Sequence, residues 1–154
     1  MVFFVTGGSR GIGEAIVLDA IREGHDVAFT YLRRQEQALA VVERARRLRP
    51  DGKCRAYQLD VRDSAAVEKV GDQVLDEFET VHVVVANAGV NVNNLAVSMS
   101  DEQWRTVIDT NLTGAFYVCR HFLSTFLAQG TRLASVGADQ TVRLWDLTDN
   151  TPKK

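Results

Sequence analysis

The sequence predicts an α/β protein, a doubly wound parallel sheet with helices on both faces. Three observations lead there. Strand-like and helix-like stretches alternate strictly from Val2 to Gly130. The strand-like stretches are short and almost wholly apolar, as in "VFFV" and "VHVVVA", the pattern of strands covered on both sides. The stretches between them carry apolar residues three and four apart, the spacing of one helix face.

Taken in order, Val2–Val5 is β-branched or aromatic and reads as the first strand. The turn "TGGSRGIG" follows, and from Gly11 a helix is expected, with Ile12, Ala15, Ile16, Ala20 and Ile21 toward the core and Gly24 ending it. Val27–Leu32 is a second strand. Gln35–Leu48 is a helix with Leu39, Val42, Ala45 and Leu48 on its apolar side, broken by Pro50, Asp51 and Gly52. Cys54–Leu59 is a third strand. Asp63 or Ser64 caps a helix reaching about Phe78. Val81–Ala86 reads as the most buried strand. The Asn- and Gly-rich stretch Asn87–Met99 reads as a loop, and Ser100, with Gln103 placed for a capping box, opens a long helix to about Leu127. That helix carries Trp104, Val107, Ile108, Leu112, Phe116, Phe122 and Leu123.

Composition limits the functional classes. A chain of 154 residues favours one domain, and 45% apolar with 25% charged residues is an ordinary globular balance. A net charge of −2 argues against a nucleic-acid or anionic-membrane binder. The start "MVFFVTGG" lacks a basic segment and meets a turn almost at once, so no signal peptide is read, and no apolar run reaches membrane-spanning length. Cys54 and Cys119 have no metal-type spacing and are expected to be buried free thiols in the cytoplasm.

The chemistry starts at the glycine turn. Gly7, Gly11 and Gly13 lie between a strand and a helix. Glycine lets a backbone approach a diphosphate closely, and the helix start offers free N–H groups and the positive end of a dipole. Thr6-Gly7-x-x-x-Gly11-x-Gly13 resembles the fingerprint of the short-chain dehydrogenase/reductase family. Asp60-Val61, Asn87-Ala88-Gly89 and Asn111 within "IDTNLTGAF" fall where that family keeps further motifs, and "MSDEQWRTVIDTNLTGAF" is similar to 3-oxoacyl-acyl-carrier-protein reductases. The resemblance covers about residues 1–130. It implies a Rossmann-type sheet of order 3-2-1-4, with Arg132–Val136 as a candidate fifth strand. It implies a dinucleotide held by Thr6, Gly7, Ser9, Arg10, Gly11, Ile12 and Gly13, by Asp60 and Val61 at the adenine, and by Asn87, Ala88 and Gly89. It also implies a structural and catalytic role for Asn111 and an acyl-thioester substrate.

The residues favour NADP over NAD. NAD-preferring sites usually place an acid at the end of the second strand. Here that end reads Leu32-Arg33-Arg34, and Asp26 is at the opposite end. Arg10 and Arg33 are therefore assigned to the 2′-phosphate, which a guanidinium grips bidentately.

Other residues read more plainly. His82 is expected to be a satisfied strand residue, and neither it nor His121 has a metal partner at useful spacing. Arg44, Arg46, Arg47 and Arg49 read as a solvated helix face. Tyr117 packs in the long helix; the residue four beyond it is His121, so it does not start a Tyr-x-x-x-Lys pair. Phe116, Phe122 and Phe126 form an apolar stripe, either core or, as in the family, a contact between copies through the 101–127 helix.

The tail departs from the family. The resemblance implies a serine after the fifth strand and then Tyr-x-x-x-Lys, the proton donor with the lysine that lowers its pKa. Gly137-Ala138 stands at the serine's place, Ser135 comes three residues earlier, Thr151 falls near the tyrosine's place, and no tyrosine follows Tyr117. Arg132–Asp149 instead resembles the end of a WD40 propeller repeat, ending in Trp145-Asp146, and one partial blade cannot form a propeller. The expected organisation is a truncated nucleotide-binding domain at 1–130 and, at 131–154, a β-hairpin-like tail that is not an independent domain, from a chimera, a gene fusion or a frame-disrupted copy. The hairpin from Arg132 to Leu147 is placed to cover part of the open sheet edge. Three functions follow: an active NADP-dependent reductase, a nucleotide-binding chain without turnover, or an interaction module using the tail. The second is preferred.

Overall fold

The computed structural model describes residues 1–128 in full and, as backbone strands, residues 132–136, 142–146 and 152–153. β1 (Val2–Val5), β2 (Asp26–Tyr31), β3 (Cys54–Gln58) and β4 (Val83–Val85) form one parallel sheet of order 3-2-1-4, the Rossmann-type order expected. β1 runs in register beside β2 from Val2↔Asp26 to Val5↔Phe29, and beside β4 from Phe3↔Val83 to Val5↔Val85. α1 (Gly11–Arg22), α2 (Gln35–Leu48) and α3 (Ser64–Phe78) are the crossovers.

Alternation along the strands sorts side chains into two cores. Val5, Val27 and Phe29 face α1 and α2, meeting Val17, Ile21, Ala38, Val41 and Ala45. Val2, Phe4 and Ala28 face the other way, meeting Val70 and Val74 of α3 and Val118, Phe122 and Phe126 further on. The Phe4 and Phe122 rings sit 4.8 Å apart and tilted, the geometry aromatic pairs favour.

The helix ends follow their sequence signals. Asp63 is the cap of α3, its Oδ1 accepting from the Ala66 N–H at 3.0 Å. Ser100 and Gln103 form the expected capping box at α4 (Asp101–Ile108). Gly24, at φ +84°, closes α1: its N–H reaches Ile21 O and the His25 N–H reaches Ala20 O, the paired bonds of a Schellman ending.

The structure corrects several expectations. β4 is three residues long and half-buried, because it has one neighbour, β1, in the described sheet. Ile12 and Ala15 are exposed, in the first turns of α1, rather than in the core. On α2, Leu39 and Leu48 are exposed, and the small Ala38 and Ala45 with Val41 face the sheet, which lets the helix sit close. The long helix is broken: α4 ends at Ile108, residues Asp109–Thr113 form a π turn, and α5 runs Gly114–Ala128. The wider turn rotates the faces. Val118, Phe122 and Phe126 are core, while Trp104, Leu112, Phe116, Leu123 and Leu127 are exposed, so the phenylalanine stripe is split. Cys54 is buried but Cys119 is exposed.

Arg132–Val136 does not extend the parallel sheet. It is β5 of a separate antiparallel sheet, paired from Arg132↔Asp146 to Val136↔Val142 with β6 (Val142–Asp146), which also pairs with β7 (Pro152–Lys153). A partner only a few residues on closes a small loop and so competes well for the strand's hydrogen bonds. Ala138 and Thr151, and the packing of the tail, lie outside the described residues.

Candidate functional site

The C-terminal ends of β1, β2 and β4 open into a cleft of about 660 Å³, at the point where an open α/β sheet reverses its strand order. The glycine turn forms its floor. Gly13 lies against the chain: a Cβ there would sit 2.3 Å from Gly7 O, so only glycine fits. Over Gly11 the same position is open space. Arg10, the residue before α1, makes no side-chain cap, so the first N–H groups of the helix are uncapped where Gly11, Ile12 and Gly13 line the cleft.

Thr6 fastens this turn to the loop after β4. It is buried, and its Oγ1 accepts from the backbone N–H groups of Asn87 at 3.0 Å and Ala88 at 2.9 Å while donating to Val85 O. The Asn87 amide donates to Thr6 O at 2.9 Å and Gly7 O at 3.3 Å. The Thr30 hydroxyl accepts from Gly7 N–H, and Thr30 O from Gly8 N–H. Turn, second strand and Asn-Ala-Gly loop are thus one bonded unit. Asn111, in the π turn, bonds Val90 twice, accepting from its N–H at 2.8 Å and donating to its carbonyl at 3.0 Å.

Of the residues expected from the sequence, Gly7, Ser9, Arg10, Gly11, Ile12, Gly13, Arg33, Asp60, Val61, Asn87, Ala88 and Gly89 all line the cleft. Thr6 lies beneath it and Asn111 supports the loop at its rim. Thr30, Leu59, Arg34, Arg62, Val90, Thr106 and Thr110 also line it and were missed. Arg34 and Arg62 had a signal, since each adjoins an assigned residue; the threonines come from a face that only folding brings round.

The cleft is cationic. Among the described residues, Arg10, Arg33, Arg34 and Arg62 line it together with a single acid, Asp60. The Arg62 guanidinium, bonded to Asp60, holds that carboxyl below its ordinary value, with a smaller contribution from Arg33. Asp26 is elsewhere, tied to Arg49 at 3.2 Å and to Lys53 N–H. His82 is satisfied, its Nδ1 accepting from Val2 N–H at 2.9 Å. Of the arginine run, Arg44 pairs with Glu14 and Arg49 with Asp26 and Asp51. Among the described residues no group of His, Cys, Asp and Glu is arranged for a metal, and no helix is long and apolar enough to cross a membrane.

A strand-turn-helix cradle with an Asn-Ala-Gly loop bonded across it defines a class, and comparison with known proteins agrees. The family described as short chain dehydrogenase matches residues 1–141, and the chain belongs to that family. The 3-oxoacyl-[acyl-carrier-protein] reductase FabG of Staphylococcus aureus is 41% identical over 112 residues, 73% of this chain and 45% of the relative. The protein of the same name from Chlamydia pneumoniae is 35% identical over 138 residues, 87% of this chain and 54% of the relative. An alcohol dehydrogenase from Thermococcus sibiricus, solved with 5-hydroxy-NADP, matches with a TM-score of 0.79 at 31% identity, covering 84% of this chain and 55% of that one. The chain spans about half the length of these relatives.

Proposed function

We propose that residues 1–130 bind NADP in the cleft and that this polypeptide, by itself, does not turn over a ketone. The observation that carries the reading is the uncapped start of α1 opening into an arginine-rich cleft. The cleft fits the group: open space at Gly11, close approach at Gly13 and free helix N–H groups suit a diphosphate. Arg10 and Arg33 suit a 2′-phosphate, Asp60 and Val61 an adenine, and exposed Ile12 a cover over the bound diphosphate. Asn87, Ala88 and Gly89 would flank the nicotinamide half. When bound, NADPH supplies a hydride.

The rest of the family's chemistry needs a proton at the carbonyl oxygen. In these 154 residues Ala138 stands where the resemblance puts a serine, and no tyrosine follows Tyr117. Asn111 remains to hold the loop through Val90. The likeness to 3-oxoacyl-acyl-carrier-protein reductases makes an acyl thioester the substrate class of the lineage. The exposed Leu112, Phe116, Leu123 and Leu127 support self-association through residues 101–127.

Fluorescence titration tests this directly. NADPH emission should shift on binding, with tighter binding than NADH, and no NADPH should be consumed when an acetoacetyl thioester is added. Equal affinity for the two nucleotides would remove the NADP assignment. Thioester-dependent oxidation above background would remove the second half of the proposal.

A further inference from the structure

Asp60, the one carboxylate among the described residues of the cleft, is unusually bound. Arg62 Nε donates to both Asp60 oxygens, at 3.0 and 3.2 Å, its Nη2 donates to Oδ2 at 2.6 Å, and its backbone N–H donates to Oδ1 at 3.0 Å. The guanidinium therefore holds the carboxylate side-on, the fork geometry that arginine alone provides. Both side chains are partly open to solvent, 40% for Arg62 and 32% for Asp60. An ion pair that exposed adds little to stability, so its consequence has to be sought in the cleft. Arg33 and Asp60 line the same cleft, and Arg33 acts electrostatically on that carboxylate, which places Asp60 beside the position assigned to a 2′-phosphate. A free carboxylate there would repel a dianionic phosphate.

We infer that Arg62 sets the preference for the phosphorylated dinucleotide by clamping Asp60, neutralising the one acid among the described residues that line the cleft. This rests on the reading that the cleft takes NADP. Arg62 is a positioning residue here: it acts through Asp60, and the phosphate itself is left to Arg10 and Arg33. Asp60 is thereby kept as an acceptor in the cleft without giving the pocket the acid that would favour NAD.

The test is the ratio of NADH to NADPH dissociation constants, by fluorescence titration of the full chain, for the wild type, Arg62→Gln, Asp60→Asn and the double variant. Arg62→Gln should lower the ratio roughly tenfold, almost wholly through weaker NADPH binding. Asp60→Asn should leave the ratio unchanged or raise it. The double variant should recover most of the loss, because the charge that needed clamping is gone. Melting temperatures within about 2 °C of the wild type, as expected for an exposed pair, keep the comparison one of folded chains.

A double variant as poor as Arg62→Gln would overturn the inference, showing that Arg62 meets the phosphate itself. Equal weakening of both nucleotides by Arg62→Gln would overturn it too. A wild type that prefers NADPH, with the ratio unmoved in Arg62→Gln, removes the role of Arg62 and leaves the NADP reading intact. A wild type that binds neither nucleotide removes both.

Discussion

Single residues differ sharply in how far their sequence neighbours reveal them. Cys54 and Cys119 look alike in the sequence, yet one is buried in the core under α1 and α2 and the other is exposed on α5. Burial pushes the Cys54 thiol up to about 12, against an ordinary value of 9.0. The folded chain therefore keeps that proton where the unfolded chain releases it. The resulting stability is complete below about pH 9 and is lost as pH rises toward about 12. Tyr57 acts in the same sense, its phenol raised by burial and by its bond to Glu77. Urea midpoints should fall between pH 8 and pH 10.5, and Cys54→Val should flatten part of that fall. A thiol reagent at pH 8 should label one cysteine in the native chain and two after denaturation.

Elements show the next level. The amphipathic spacing of α5 establishes that it is a helix, but not which of its aromatic residues faces inward. The π turn at Asp109–Thr113 inserts extra backbone and turns Phe122 into the core and Phe116 out of it. Phe122→Ala should cost about 3–5 kcal/mol in urea unfolding, as for a large ring removed from a packed core. Phe116→Ala should change monomer stability by less than about 0.5 kcal/mol. The same turn aims Asn111 at Val90, so Asn111 is legible as a motif residue while its bonding is not. β1 and α1 were readable because strand, glycine turn and helix are contiguous. β4 was readable as a strand and in its place in the order, but its length and burial were not, since burial at a sheet edge depends on how many neighbours the strand acquires.

At the scale of the whole molecule, four of the exposed apolar residues, Leu112, Phe116, Leu123 and Leu127, recur at four- and seven-residue spacing along one helical segment. A stripe of that kind supports the proposed self-association. Sedimentation should show a dimer or larger species at micromolar concentration, and Phe116→Asp with Leu123→Asp should shift it to monomer while leaving NADPH affinity unchanged. A monomeric wild type would remove the interface assignment. The separate antiparallel sheet at β5–β7 belongs to this scale too, since a local hairpin took the strand that the alternating pattern had offered to the parallel sheet.

The sequence by itself determined the alternation of strands and helices, the phosphate-type turn and the family, because each rests on neighbours within a few residues. Only the tertiary structure decided that Arg62 clamps Asp60 beside Arg33, that Thr30 anchors the glycine turn, and that Phe122 rather than Phe116 fills the core. The Arg62–Asp60 pair is itself a contact between residues two apart, but its place beside Arg33, like the other two outcomes, depends on distances between elements or on the rotation of a helix about its axis, and no local spacing encodes those.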